Sequence, residues 1–181
     1  MKITKLFSIL LLCGSLTSLG FAQQKIGYVN TEAIIALLPV TKKANEELAE
    51  MQTKFLAQGQ TMQDEMKAKY DELVAQNQAG TLSDTMKELG QQEMAQLQQD
   101  LNNHTQQSQD ALSKRRSVLY KPIFKQVNET IQKIAKDRGY DIVFDAQESG
   151  IVYGSVDNNL TKAILLELGV NPDEVAPKPA E

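Results

Sequence analysis

Between Thr41 and Ile123 the chain repeats itself every eleven residues, and that period constrains most of what the rest can be. Ala44, Phe55 and Met66 form one series, Met51, Met62 and Leu73 a second, and Leu48, Gly59 and Tyr70 a third. An eleven-residue repeat has about 3.67 residues per turn, so its apolar stripe runs nearly straight or slightly right-handed, unlike a heptad seam. Downstream the same period carries Met86, Leu97, Ser108 and Leu119, and then Gly90, Leu101, Leu112 and Ile123. A third downstream series, Glu93, His104 and Arg115, is polar. The stripe is therefore narrow, enough for one partner helix.

Glu, Lys, Gln, Ala, Leu and Met dominate residues 41–137, fourteen glutamines lie between Gln52 and Gln109, and Pro122 is the only proline. The one break in helix formers is NQAGTLSD, residues 77–84. Asn77 and Gly80 can stop one helix there, and Ser83 or Asp84 can start the next. The pattern predicts two long helices in an antiparallel hairpin, a coiled-coil arm over 41–119 with its tip near 77–84. A helix over 41–77 spans about 55 Å at ~1.5 Å per residue. No compact core could bury that length, so the arm projects from a body.

Around the arm the sequence changes character. KIGYVN (25–30) reads as a short strand, and Thr31 can cap a helix that Pro39 ends or kinks. After Arg138 and Gly139 comes GYDIVFDAQESGIVYG (139–154), which reads as a β-hairpin: an alternating strand, a polar turn that Asp145 can open, and a second apolar run. DNNLTKAILLELG (157–169) reads as a capped helix stopped by Gly169, and residues 170–181, rich in proline and charge, as a disordered tail. The expected body is thus discontinuous, 23–40 with 120–169. Its strands predict a three-stranded sheet apolar on both faces. Ile26, Tyr28, Ile142, Phe144, Ile151 and Tyr153 share one parity, and Val29, Val143 and Val152 the other. The chain's own helices can cover one face. About 70 residues outside the arm make a marginal core alone, and an uncovered apolar face calls for another subunit. These nine residues are the expected oligomerisation core. The fold class is mainly α, a long helical hairpin projecting from a small oligomerising sheet.

The first 22 residues have the form of a secretory signal peptide, with Lys2 and Lys5, an apolar Leu6–Leu12 stretch, and GFA before cleavage after Ala22. Leu10, Leu11 and Leu12 stand before Cys13 where a lipidated cysteine needs a small residue. Cleavage would remove the only cysteine, and it would leave 17 basic against 23 acidic side chains, a formal charge of −6. Such a chain offers no footprint for nucleic acid, and no later segment approaches the ~18 apolar residues of a membrane span. An exported, soluble protein is expected. No nucleophile and base pair, phosphate loop, metal-spaced carboxylates or cofactor motif appears, so neither an enzyme nor a cofactor is expected. His104 has no second histidine or cysteine to share a zinc with. The KRR run (114–116) reads as solvated or paired with the neighbouring helix. Gly59 and Gly90 interrupt the helices, either for flexibility or for close packing. Met62 and Met66 fall on the seam, while Met94 lies off the main series; all three are candidates for adaptable apolar contacts with a binding partner.

The exported start, the opening KIGYVNTEAI, the helical hairpin and the closing YDIVFDAQESGIVYGSVDNNLTKAILLEL together resemble the Skp/OmpH family of periplasmic chaperones over residues 25–168. The most specific part is the end, where DIVFDA, a strand ending in Tyr153, and NNLT lead into the last helix. The resemblance implies a homotrimer whose small sheets form a common body, with three hairpins enclosing a cavity that holds unfolded outer-membrane proteins without ATP. Well-known members are basic and this chain is acidic. Its tip sets Asp71, Glu72, Asp84 and Glu88 against Lys67, Lys69 and Lys87, so a lipopolysaccharide site is not carried over. A different class of function, an envelope adaptor binding one folded partner through its tips, fits the same stripe and surface.

Overall fold

The computed structural model describes residues 24–172; the expected signal peptide and all but the start of the expected tail lie outside them. In chain order the elements are strand β1 (Ile26–Val29), helix α1 (Thr31–Leu37), helices α2 (Pro39–Gln78) and α3 (Asp84–Asp137), strand β2 (Ile142–Asp145), a 3-10 turn (Val156–Asn158) and helix α4 (Thr161–Glu167). The molecule is mainly helical with one small sheet, as the repeat requires.

Local chemistry sets the boundaries. Asn30, one residue before the expected cap, accepts the Ala33 amide at 2.8 Å and starts α1. Pro39 forces Leu38 into an extended conformation (φ −68°, ψ 132°) and then serves as the first residue of α2, so the arm begins two residues earlier than expected. At the tip Gly80 takes φ 70°, and the Thr81 amide reaches back to the Gln76 carbonyl at 3.1 Å, closing α2. Ser83 then caps α3 through the Met86 amide at 3.3 Å. Pro122 sits inside α3 without ending it. Helix α3 stops at Gly139, where φ is 67° and the Tyr140 amide bonds the Ala135 carbonyl at 2.9 Å. At about 1.5 Å per residue the 40 residues of α2 and 54 of α3 run roughly 60 and 80 Å. The root of α3 therefore continues into the body.

The sheet differs from the expected one. It has two strands, β1 and β2, paired in parallel with Ile26 opposite Ile142, Tyr28 opposite Phe144 and Val29 opposite Asp145. Lys25 fastens its start: the backbone amide donates to Asp141 Oδ2 at 2.8 Å and the ammonium to the Arg138 carbonyl at 2.7 Å. The expected second hairpin strand, Ile151 to Tyr153, is not a strand in the single chain. Asp145 opens a turn, as its position suggested, accepting the Gln147 amide on its side chain and the Ser149 amide on its carbonyl, both at 3.0 Å. The chain then crosses to Tyr28, whose hydroxyl donates to the Gly154 carbonyl at 3.3 Å. A Cβ on Gly154 would lie 2.5 Å from that ring, so only glycine lets the segment lie there. Beyond it, the Leu160 amide donates to the Tyr28 carbonyl at 2.9 Å, making a single parallel bridge at the other edge of β1. Among the described residues nothing pairs with the outer edge of β2.

Val29 and Val143 turn to the inner face of the sheet. There they meet Ile34 and Leu38, the Ile123–Val127–Ile134 stripe of α3, and Leu160, Ile164 and Leu165. Val170, at the start of the expected tail, is buried in the same core.

Candidate functional site

Two surfaces stand out: the outer face of the sheet and the flanks of the arm. Ile26 and Ile142 lie side by side on the outer face at 45% and 38% exposed, and Phe144 is 40% exposed beside the half-buried Tyr28. Val152 and Tyr153 are 100% and 90% exposed, while Ile151 is half-buried. Of the nine expected oligomerisation residues, Val29 belongs to the chain's own core and Val143 packs against it. The structure gathers Ile26, Tyr28, Ile142 and Phe144 on one uncovered face and leaves Val152 and Tyr153 projecting. An exposed apolar face beside an unpaired strand edge is a surface suited to a further contact.

The arm is registered by polar rungs as much as by its apolar stripe. Arg115 is hydrogen-bonded and ion-paired to Glu47, His104 Nε2 stands 3.3 Å from Gln58 Oε1, and Lys69 Nζ lies 2.8 Å from Glu93. The α3 members are the polar series noted above. Their partners Glu47, Gln58 and Lys69 are also eleven apart, so the sequence carries the register on both helices. Because both helices share the period, one register satisfies all three rungs, roughly 16 Å apart at ~1.5 Å per residue. The Glu93 carboxylate raises the Lys69 ammonium above the ordinary lysine value, Glu47 raises the Arg115 guanidinium, and Glu167 does the same for Lys133 between α3 and α4. All three pairs are at the surface, so they fix register more than they add stability. His104 also meets Phe55 edge-on, ring centroids 6.1 Å apart. In the KRR run, Arg115 pairs with α2 and Arg116 lies over the Tyr120 ring, 5.4 Å from its centroid.

Met62, Met66 and Met94 are all half-buried, Met94 included despite its place off the main series. The more exposed apolar side chains of the arm are Leu56 (67%), Tyr70 (59%), Leu89 (55%) and Val118 (60%), none of which the sequence singled out as a contact. Tyr70 and Met86, expected on the stripe, turn outward, and Lys69 takes the inward place. Gly90 is buried under Leu73. Among the described residues no group of histidine, cysteine and carboxylate side chains is placed to hold a metal, and no helix is long and apolar enough to cross a membrane.

Known proteins resemble this chain in sequence and in fold. The chaperone protein Skp of Vibrio cholerae is 27% identical over 164 residues, covering 91% of this chain and 95% of the relative. A crystal structure from Caulobacter crescentus, described as an OmpH-like outer membrane chaperone, superposes with a TM-score of 0.71 at 13% identity, over 82% of this chain and 86% of that one. At that identity the likeness speaks for the fold. The family model described as outer membrane protein (OmpH-like) matches residues 25–168, from the first strand to the end of the last helix. This chain belongs to the OmpH-like outer membrane protein family.

Proposed function

We propose that the protein is an ATP-independent holding chaperone of the periplasm. Three copies join through their sheets, and unfolded outer-membrane β-barrel proteins are kept from aggregating between the arms. The observation that carries this reading is the uncovered apolar sheet face at the root of a long hairpin. Joining copies there buries Ile26, Ile142, Phe144 and Tyr153 and makes the arms leave one hub around a shared space. The open edge of β2 offers backbone groups to the projecting Ile151–Tyr153 segment of a neighbouring copy. The chaperone name of the Vibrio relative supports the same reading. Holding without ATP needs many weak contacts, which suits arms with scattered apolar side chains among glutamines. Tyr70, Met86 and Leu89, exposed near the tip, favour a second reading, an adaptor gripping one folded envelope partner by its tips.

Sedimentation of residues 23–181, alone and with a urea-unfolded outer-membrane β-barrel protein diluted into it, separates the two. A trimer that shifts to a larger soluble complex supports the chaperone. A β-barrel protein that pellets as it does alone favours the adaptor.

A further inference from the structure

One flank of the arm carries a continuous groove. Three hollows of about 490, 370 and 420 Å³ follow one another along it, the first sharing Gln52 and Leu112 with the second and Asn45 and Arg116 with the third. On the opposite flank, near the body, lies a smaller hollow of about 280 Å³. On α3 the groove runs from Phe124 to Leu101, about 35 Å at ~1.5 Å per residue. Leu48, Phe55, Leu101 and Leu112 line it as half-buried side chains, with the exposed carboxamides of Gln52 and Gln63 alongside. From Arg116 outward the lining contains no carboxylate, whereas the innermost hollow, against the body, adds Glu32, Asp145 and Glu148.

Two hydroxyls set this flank apart. Thr41 and Ser108 are 3% and 8% exposed, and their side-chain oxygens have no hydrogen-bond partner among the described residues. Other helical threonines here, Thr53, Thr61, Thr105 and Thr130, donate to the carbonyl four residues back at 2.9 to 3.1 Å. Both unpaired hydroxyls belong to residues that line the groove. Buried polar groups without partners are rare and costly. Turning either about χ1 toward a polar atom seated in the groove would break no existing hydrogen bond.

We propose that this groove binds one extended segment of an unfolded chain, about ten residues long, whose apolar and polar side chains alternate. Over the outer two hollows neutral amides and hydroxyls match a peptide backbone whatever its side chains, and at the inner end Glu32, Asp145 and Glu148 can accept from backbone amides. The leucine-lined floor takes every second residue, since alternate side chains of an extended chain point the same way. The length fits as well: about 35 Å holds some ten extended residues, and a membrane-spanning β-strand has about 9–11. The groove thus selects for the strands of β-barrel precursors before they pair. This rests on the chaperone reading above and names the part of the client that the arm holds.

The test uses residues 23–181 and a dye-labelled, urea-unfolded outer-membrane β-barrel protein. Competitors are an eleven-residue peptide of alternating valine and threonine, and its twin N-methylated at alternate amides. The peptide should compete, and the twin should do so about tenfold less well. Ala49→Trp, filling the groove from its exposed rim, should weaken peptide binding at least about tenfold. The near-isosteric Ser108→Ala and Thr41→Val should each weaken it about two- to tenfold, and they decide the matter if the tryptophan variant misfolds. Lys43→Trp, on the opposite flank, should change nothing. Should the β-barrel protein bind while all three groove variants match wild type, the groove is refuted and the chaperone reading stands. Should Ala49→Trp disperse the oligomer without altering peptide affinity, the groove is a contact between copies and the proposal falls. Should wild type bind no β-barrel protein at all, both readings fall.

Discussion

Replacing Gly90 and Gly59 by alanine, one at a time, separates close packing from flexibility as the reason for glycines inside the arm. A Cβ on Gly90 would lie 2.4 Å from Leu73 Cδ2, 2.8 Å from Cδ1 and 3.2 Å from Cγ. At Gly59 the nearest atoms, on the His104 ring, are 3.9 Å away, an ordinary contact. Both substitutions gain the same helix propensity, up to about 1 kcal/mol. At Gly59 nothing opposes that gain, so Gly59→Ala should stabilise the arm by up to about 1 kcal/mol. At Gly90 the gain is set against overpacking, typically about 1–3 kcal/mol, which leaves a net loss of up to about 2 kcal/mol. The two variants should therefore move in opposite directions. Amide hydrogen exchange over residues 73–90 is the suitable assay, because a long arm opens locally before the body unfolds. A difference of about 1.4 kcal/mol appears there as a tenfold change in exchange rate. Adding Leu73→Ala to Gly90→Ala should restore more protection than the single variants predict by addition. Equal stabilisation by both alanines would refute the packing argument and return Gly90 to the role of a flexible joint.

The ion pairs predict a dependence on alkaline pH. Lys69 and Lys133 have folded-state pKa values raised by Glu93 and Glu167, so their contribution is complete below the ordinary lysine value of 10.5 and is lost as pH rises through the folded value; Lys69→Met should flatten that alkaline limb in melting curves. Phe144→Glu and Tyr153→Ala alter side chains 40% and 90% exposed in the single chain, so helix content should persist while sedimentation shows smaller species; unchanged sedimentation would exclude the sheet face as the hub. Ile164→Ala, at a fully buried position, should cost about 2–5 kcal/mol, or roughly 4–20 °C of melting temperature.

The hairpin was legible because its signal is periodic and local. Eleven-residue spacing marks helices, and NQAGTLSD marks the turn, without reference to any partner. Register was harder to read. It lies in the coincidence of two polar series on different helices, and only Glu93, His104 and Arg115 drew notice, since Glu47, Gln58 and Lys69 hide among other charged and polar residues. The sheet was legible in its strands and not in its pairing. Ile142–Asp145 alternates whatever stands beside it, and the apolar Ile151–Tyr153 run suits a strand edge as well as a surface meant for another chain. In the single chain the segment instead runs past Tyr28, with Gly154 against its ring, a contact between residues far apart in sequence. The groove hydroxyls left no mark at all, because Ser108 sits in an apolar series where a small residue passes for filler.

The parallel pairing of β1 with β2 has a consequence for the order in which the molecule forms. The first strand to be synthesised must wait for residues 30–141 before its partner exists. Closing so long a loop from a flexible chain is entropically unfavourable and slow. The helices spare it most of that cost, since a hairpin that zips from its tip carries the root of α3 back beside α2 and delivers β2 to β1. In that order of events the arm would template its own body, and the sheet would form last. Until then the apolar strand faces never stand together on one surface. If the sheet face joins copies as proposed, that surface is complete only once the arm is.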